Sequence, residues 1–260
     1  MKTTLFALFF VLLSPMFAID LNLPASAPLN ASSELSLLTD CPSSAVINPA
    51  VFNPGISTSA TYLYSLNELP FYNLQAASKY KKVGFTLSEG FLDHEFYTES
   101  ISGFSAAYLH EHISVGLGVR FLWTKVTEYD TYSGIAFDGG FLWRTGKTSS
   151  ALAMKNIFNT KVAEEQLPIF WLWETGYEIT EKSKLVFGVE KQNDFEFCFK
   201  FGGKYRIAKI LTLIASYQNE PSRIGSGFVL NIRKYNIAYS ARTHQYLSMT
   251  HYISVGYSFK

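Results

Sequence analysis

From about residue 58 to the end of this chain, apolar and polar side chains alternate with a period of two, in segments of roughly ten residues separated by turn formers. The clearest stretch puts Phe195, Phe197, Phe199, Phe201, Gly203 and Tyr205 on one face and Glu196, Cys198, Lys200, Gly202, Lys204 and Arg206 on the other. A second sets Ile113, Val115, Leu117, Val119, Phe121 and Trp123 against Ser114, Gly116, Gly118, Arg120, Leu122 and Thr124. The final segment opposes Ile253, Val255, Tyr257 and Phe259 to Tyr252, Ser254, Gly256 and Ser258. A helix repeats every ~3.6 residues and cannot sort side chains this way. Two stretches are less tidy. Ile169, Trp171, Trp173 and Tyr177 lie opposite Phe170 and Leu172 beside Glu174 and Glu178, and 210–218 begins apolar on both faces, which leaves its outward face open.

These runs predict strands at 58–66, 71–78, 81–90, 96–109, 112–126, 131–144, 148–157, 168–179, 183–191, 194–206, 210–218, 222–232, 235–242 and 248–259. The separators suit hairpins, among them Glu128-Tyr129-Asp130, Thr145-Gly146-Lys147, Glu181-Lys182-Ser183, Asn219-Glu220-Pro221-Ser222 and Arg233-Lys234. An even count lets an up-and-down sheet close antiparallel, and in lipid only closure satisfies every backbone group. A soluble sandwich also alternates, but its outer face is highly charged. Here the polar faces are rich in Gly, Ser and Thr, and Trp123, Trp143, Trp171, Trp173, Tyr257 and Phe259 gather near strand ends. The expectation is an all-β fold: a transmembrane, up-and-down antiparallel β-barrel of about fourteen strands with an irregular N-terminal plug or lead-in.

The first fifty-seven residues differ. Residues 1–18 read as a secretory signal, with Lys2 as the positive n-region, Leu5 to Leu13 as the apolar run and Met16-Phe17-Ala18 as the cleavage context; cuts after Ala25 or Ala27 are alternatives. Cys41 is not expected to carry lipid, because Asp40 precedes it far from the apolar run. Residues 19–57 show no period and contain two turn-forming steps, Asn48-Pro49 and Asn53-Pro54, since proline fixes φ and restricts the residue before it. The expected division is 1–18 signal, 19–57 plug or periplasmic segment, and 58–260 barrel.

Charge and composition narrow the function classes. Twenty-two basic against 21 acidic residues leave a net charge of +1, which removes the electrostatic footprint of a nucleic-acid binder. After the first eighteen residues no apolar run is long enough for a membrane helix. Cys41 and Cys198 stand in no metal-binding spacing, and a bridge between them is left open. His110-Glu111-His112 would put two imidazoles on one face of a strand, but the trio falls at an expected turn. His244 with Ser248 is the only hint of a nucleophile arrangement. No enzyme activity and no cofactor is expected. The register instead sends Arg120, Asp138, Arg144, Glu174, Glu178, Glu190, Glu196, Lys200, Lys204, Arg206, Arg233 and Arg242 into the lumen. Mixed signs would pair and brace a plug rather than select an ion. Phe170 and Leu172, also inward, would suit a lipophilic ligand.

Several elements resemble the PorV/PorQ family of outer-membrane proteins, themselves similar to FadL-type barrels. They are Asn48-Pro49-Ala50, the strand Ser150-Ala151-Leu152-Ala153-Met154-Lys155-Asn156-Ile157, and a closing half that runs Phe201-Gly202-Gly203-Lys204-Tyr205, Ala215-Ser216-Tyr217-Gln218-Asn219-Glu220-Pro221, Ile224-Gly225-Ser226-Gly227-Phe228, Ile237-Ala238-Tyr239-Ser240 and Thr250-His251-Tyr252-Ile253. Ala215-Ser216-Tyr217 lacks that family's Gly before Tyr, and Ile237-Ala238-Tyr239 lacks its Asp. The resemblance implies residence in the outer membrane of a diderm bacterium, in contact with its lipid. It also implies a non-enzymatic platform or shuttle for exported proteins or secretion-system components. The alternative is a FadL-like channel for hydrophobic small molecules, gated by the N-terminal segment.

Overall fold

The computed structural model describes residues 26–65, 70–127, 131–162, 165–193 and 195–259. The alternating segments become the strands β1 (Gly55–Tyr62), β2 (Pro70–Tyr80), β3 (Val83–His94), β4 (Tyr97–Leu109), β5 (Ile113–Val126), β6 (Thr131–Thr145), β7 (Thr148–Lys155), β10 (Phe170–Thr180), β11 (Ser183–Gln192), β12 (Cys198–Ala208), β13 (Leu211–Gln218), β14 (Arg223–Ile232), β15 (Tyr235–Arg242) and β16 (Thr250–Ser258). These fourteen strands form a closed antiparallel barrel in chain order, and β1 pairs with β16 to shut it. The short strands β8 (Lys161–Val162) and β9 (Glu165–Gln166) form a separate ladder in the loop joining β7 to β10. Sequence periodicity missed this ladder because two residues are too few to show alternation.

Each expected strand corresponds to one observed strand, with shifted ends. The barrel begins at Gly55 rather than 58, and β12 begins at Cys198 rather than 194. Phe195 and Phe197 continue the alternation but sit in the connection before β12, where Lys191 Nζ donates to the Phe195 carbonyl. The expected signal, residues 1–18, and the turn 128–130 lie outside the described residues.

The two faces of the wall are opposite in character. Leu117 is 69% exposed, Phe201 52% and Val255 46%, while on the same strands Leu122, Lys200 and Tyr252 are buried inside the barrel. In 210–218 the outward face carries Leu213 and Tyr217, and Ile214, Ser216 and Gln218 turn inward. Large apolar side chains around the whole circumference, with polar ones inside, invert the pattern of a water-soluble fold. They suit a wall bathed in hydrocarbon.

The strands meet tight turns at one end and longer connections at the other. The turn end holds 81–82, 110–112, 146–147, 181–182, 209–210 and 233–234, together with the start of β1 and the end of β16. The loop end holds the remaining connections.

Residues 26–53 fill the interior. Helix α1 (Ala27–Ala31) starts where Ser26 Oγ accepts a hydrogen bond from Leu29 N, with proline in the first turn. A 3-10 turn (Ser36–Leu38) and helix α2 (Ser44–Ile47) follow. Leu35, Leu37, Leu38, Ala50 and Val51 pack on Leu142, Ala151 and Val186. Leu29 and Ile47 pack on Ala153, Phe170 and Leu172. The inward apolar residues Phe170 and Leu172, expected to suit a ligand, therefore seat the plug.

Candidate functional site

The plug and its wall form one site, held differently on its two sides. On the β10–β16 side the contacts are polar and directed. Glu174, fully buried on β10, accepts from Ser36 N (3.1 Å), Ser36 Oγ (2.6 Å) and Leu37 N (3.0 Å), which satisfies the otherwise unpaired donors at the start of the 3-10 turn. Glu34 of the plug receives Arg242 Nη1 at 2.7 Å and Lys200 Nζ at 3.5 Å. Lys200 also pairs with Glu190, and Arg242 donates to Gln218 Oε1. Burial alone would raise the Glu34 carboxyl, but the neighbouring Lys200 and Arg242 charges overcome it and hold its pKa down at about 2. Ser216 Oγ donates to the Ala31 carbonyl at 2.7 Å, and Ala27 N donates to Ser254 Oγ at 2.7 Å.

On the β3–β7 side the plug is fitted mainly by close packing. Asn48-Pro49-Ala50 lies flat on the wall at Gly116 and Gly140. A Cβ on Gly116 would strike the Pro49 backbone, and one on Gly140 would strike Asn48 Oδ1. Asn48 Oδ1 accepts from Ala50 N at 2.9 Å, and its Nδ2 donates to the Leu152 carbonyl at 3.2 Å. Asn53 Nδ2 ties the end of the plug back to the Cys41 carbonyl at 3.3 Å, and Pro54 is exposed just before β1.

The expected lumen residues fall into three groups. Arg120, Asp138, Glu174, Glu190, Lys200 and Arg242 are on the inner face. Arg120 Nε and Nη2 bond Asp138 Oδ2 and Oδ1 at 2.6 and 2.8 Å, and Asp138 also accepts from Asn156 N at 2.9 Å, a brace between wall and loop. Arg144, Glu178, Lys204 and Arg206 have inward register but lie at the turn-end mouth, where Lys204 reaches Asp40 at 2.6 Å. Glu196 and Arg233 do not face the lumen. Glu196 is exposed in the connection before β12, and Arg233 is exposed in a tight turn with φ of 58°. Period-two counting carried both past the true strand ends.

Sequence reasoning did not single out Glu34 or Ser36, and it named Ser216 and Gln218 only within the closing motif, without a role. The available signal was that Glu34 and Asp40 are the only charges between Leu21 and Gly55. Cys41 and Cys198 are unbridged. His110, Glu111 and His112 are exposed at a turn tip, and among the described residues no group of three His, Cys, Asp or Glu could hold a metal. His244 Nδ1 accepts from Tyr246 N and Leu247 N, so its own loop engages it.

Two cavities flank the wall on the β3–β6 side. A narrow inner one of about 20 Å³, lined by Ala45, Val46 and Pro49 of the plug with Arg120 and Asp138, has room for little more than a water molecule. An outer one of about 550 Å³ lies among the outward apolar residues Leu74, Leu87, Phe104, Phe121 and Ile135. Both are also lined by Ser88, Gly103, Phe104 and Val119, so they meet across the same stretch of wall. On the outer side Glu89 accepts from Ser100 Oγ (2.7 Å) and Ser102 Oγ (2.5 Å), a polar spot within the apolar belt.

No protein-family model and no curated sequence matches the chain. Among solved structures it is similar to the CymD monoaromatic hydrocarbon channel, at 13% identity over 93% of this chain and 99% of that one, with a TM-score of 0.70. It is also similar to a Pseudomonas aeruginosa FadL homologue (11% identity, 91% and 98% covered, TM-score 0.63) and to the Pseudomonas putida toluene transporter TodX (9%, 85% and 94%, 0.66). At these identities the likeness is one of fold: the closed fourteen-stranded antiparallel barrel is shared.

Proposed function

We propose that this chain is a non-enzymatic outer-membrane channel for hydrophobic small molecules, exported by its N-terminal signal and closed in the described state by its plug. One observation carries the reading: the inner cavity beside the plug and the apolar outer cavity share the wall around Gly103. An apolar solute entering beside the plug would leave through that wall into the membrane without crossing water, which requires the unbroken β3–β4–β5 pairing to part at Gly103. The inner cavity is too small for such a solute, so passage requires the Ala45–Pro49 part of the plug to withdraw. The polar contacts on the β10–β16 side would keep the rest of the segment in place while it does.

The similar structures described as a monoaromatic hydrocarbon channel and a toluene transporter support this substrate class. They favour it over the export platform suggested by the PorV/PorQ resemblance, for which no feature of the site speaks.

The test is uptake. The full chain in vesicles should admit toluene or a long-chain fatty acid faster than empty vesicles. Gly103→Val, whose side chain would press on Ser88, should abolish that gain while the barrel stays folded, as judged by its altered gel migration without boiling. Equal flux in the variant, or no flux above background in the unaltered protein, would sink the reading.

A further inference from the structure

The tips of the turn end are basic around nearly the whole ring. Lys81 and Lys82 join β2 to β3, Lys147 joins β6 to β7, Lys182 joins β10 to β11, Lys209 joins β12 to β13, and Arg233 and Lys234 join β14 to β15. All seven are exposed, and these six tips hold only Glu111 and Glu181 as carboxylates. At the loop end the described connections carry Lys161 against Glu95, Glu165, Glu196 and Glu220. A net charge near zero thus conceals a polarised molecule.

Immediately inside the basic tips, the outer wall carries exposed rings: Tyr80, Tyr108, Trp143, Tyr177, Tyr205 and Tyr235. Lys81 Nζ lies 5.4 Å from the centre of the Tyr80 ring, and Lys234 Nζ 5.9 Å from that of Tyr257. Aromatic rings of this kind occupy the boundary between hydrocarbon and headgroups, so cations one to five residues further out reach the phosphate layer. Lys81 and Arg233 also occupy left-handed backbone (φ 53° and 58°), where glycine or asparagine fits more easily.

We infer that the turn end is a collar for the phosphodiester headgroups of anionic phospholipid in the leaflet it enters. Five of the six tips take part, spaced around the circumference. A surrounding leaflet meets all of them at once, whereas a protein partner would meet one sector. The inference rests on the membrane-spanning part of the proposed function, not on the solute that passes.

The test uses the full chain in vesicles of phosphatidylcholine alone or with one-third phosphatidylglycerol, with spin-labelled lipids reporting what sits against the barrel. The unaltered protein should select labelled phosphatidylglycerol over phosphatidylcholine, by a factor of about five for each engaged cation at low salt. Half-molar salt should erase the preference, because screening shortens the reach of exposed charges. The combined variant Lys81→Gln, Lys82→Gln, Lys147→Gln, Lys182→Gln, Lys209→Gln, Arg233→Gln and Lys234→Gln should lose it, and Lys161→Gln at the loop end should keep it. Should the combined variant fail to fold, the salt series on the unaltered protein decides. No preference in the unaltered protein, or one indifferent to salt, overturns the collar. A barrel that does not insert into either vesicle would instead overturn the membrane-spanning reading, which separates the two failures.

Discussion

The wall from β10 to β16 and the wall from β3 to β7 hold the same plug by different physics. The first adds to apolar packing on Phe170, Leu172 and Val186 a set of buried charges and directed hydrogen bonds: Glu174 on the Ser36–Leu38 turn, and Lys200 and Arg242 on Glu34. The second uses fit, with Asn48-Pro49-Ala50 laid against Gly116 and Gly140 and a narrow gap left beside Arg120. Buried charges whose partner leaves are costly, so the first contact is all or none. Packing contacts are individually small and yield in steps. On the proposed channel reading, a plug gripped this way would hinge toward the charged side and open on the packed side, where the two cavities meet.

Breaking the charged grip should have the largest effect. Glu34→Gln leaves Lys200 and Arg242 buried with one fewer counter-charge, and about 3–5 kcal/mol should be lost, read as a lower urea midpoint for the folded barrel. A midpoint unchanged from the parent would mean that the two sides do not differ. Acid should produce the same loss gradually. Glu34 is held at about 2 against an ordinary 4.5, so its contribution is complete above pH 4.5 and fades as pH falls toward 2. Protection of the plug from pepsin should follow that limb, and the Glu34→Gln protein should lack it. On the packed side, Gly116→Val forces Pro49 off the wall and should cost about 1–3 kcal/mol, the usual range for overpacking. A loss larger than that of Glu34→Gln would reverse the comparison.

The barrel was legible because a wall between hydrocarbon and a polar interior stamps its geometry on every second residue. That signal fixes faces well and ends poorly. Phe195 and Phe197 kept the rhythm outside β12, and Arg233 was given an inward face although it lies in the turn after β14. The charges on the inner face were visible one strand at a time, but their partners were not. Glu34 meets Arg242 across 208 positions, and no local spacing encodes such a pair. The plug itself was legible only as a lack of period. Its seating depends on where the fourteen strands bring their inward glycines, serines and carboxylates.

The seam has a consequence for how the molecule comes to exist. Gly55 opens β1 directly after the plug and pairs with Ser258, near the far end of the chain. The plug residues Ala27 and Glu34 thus find their partners Ser254 on β16 and Arg242 on β15 at 227 and 208 positions further along. The plug's resting place is unfinished until the last strand zips against the first. The strand that closes the bottle also completes the stopper's seat.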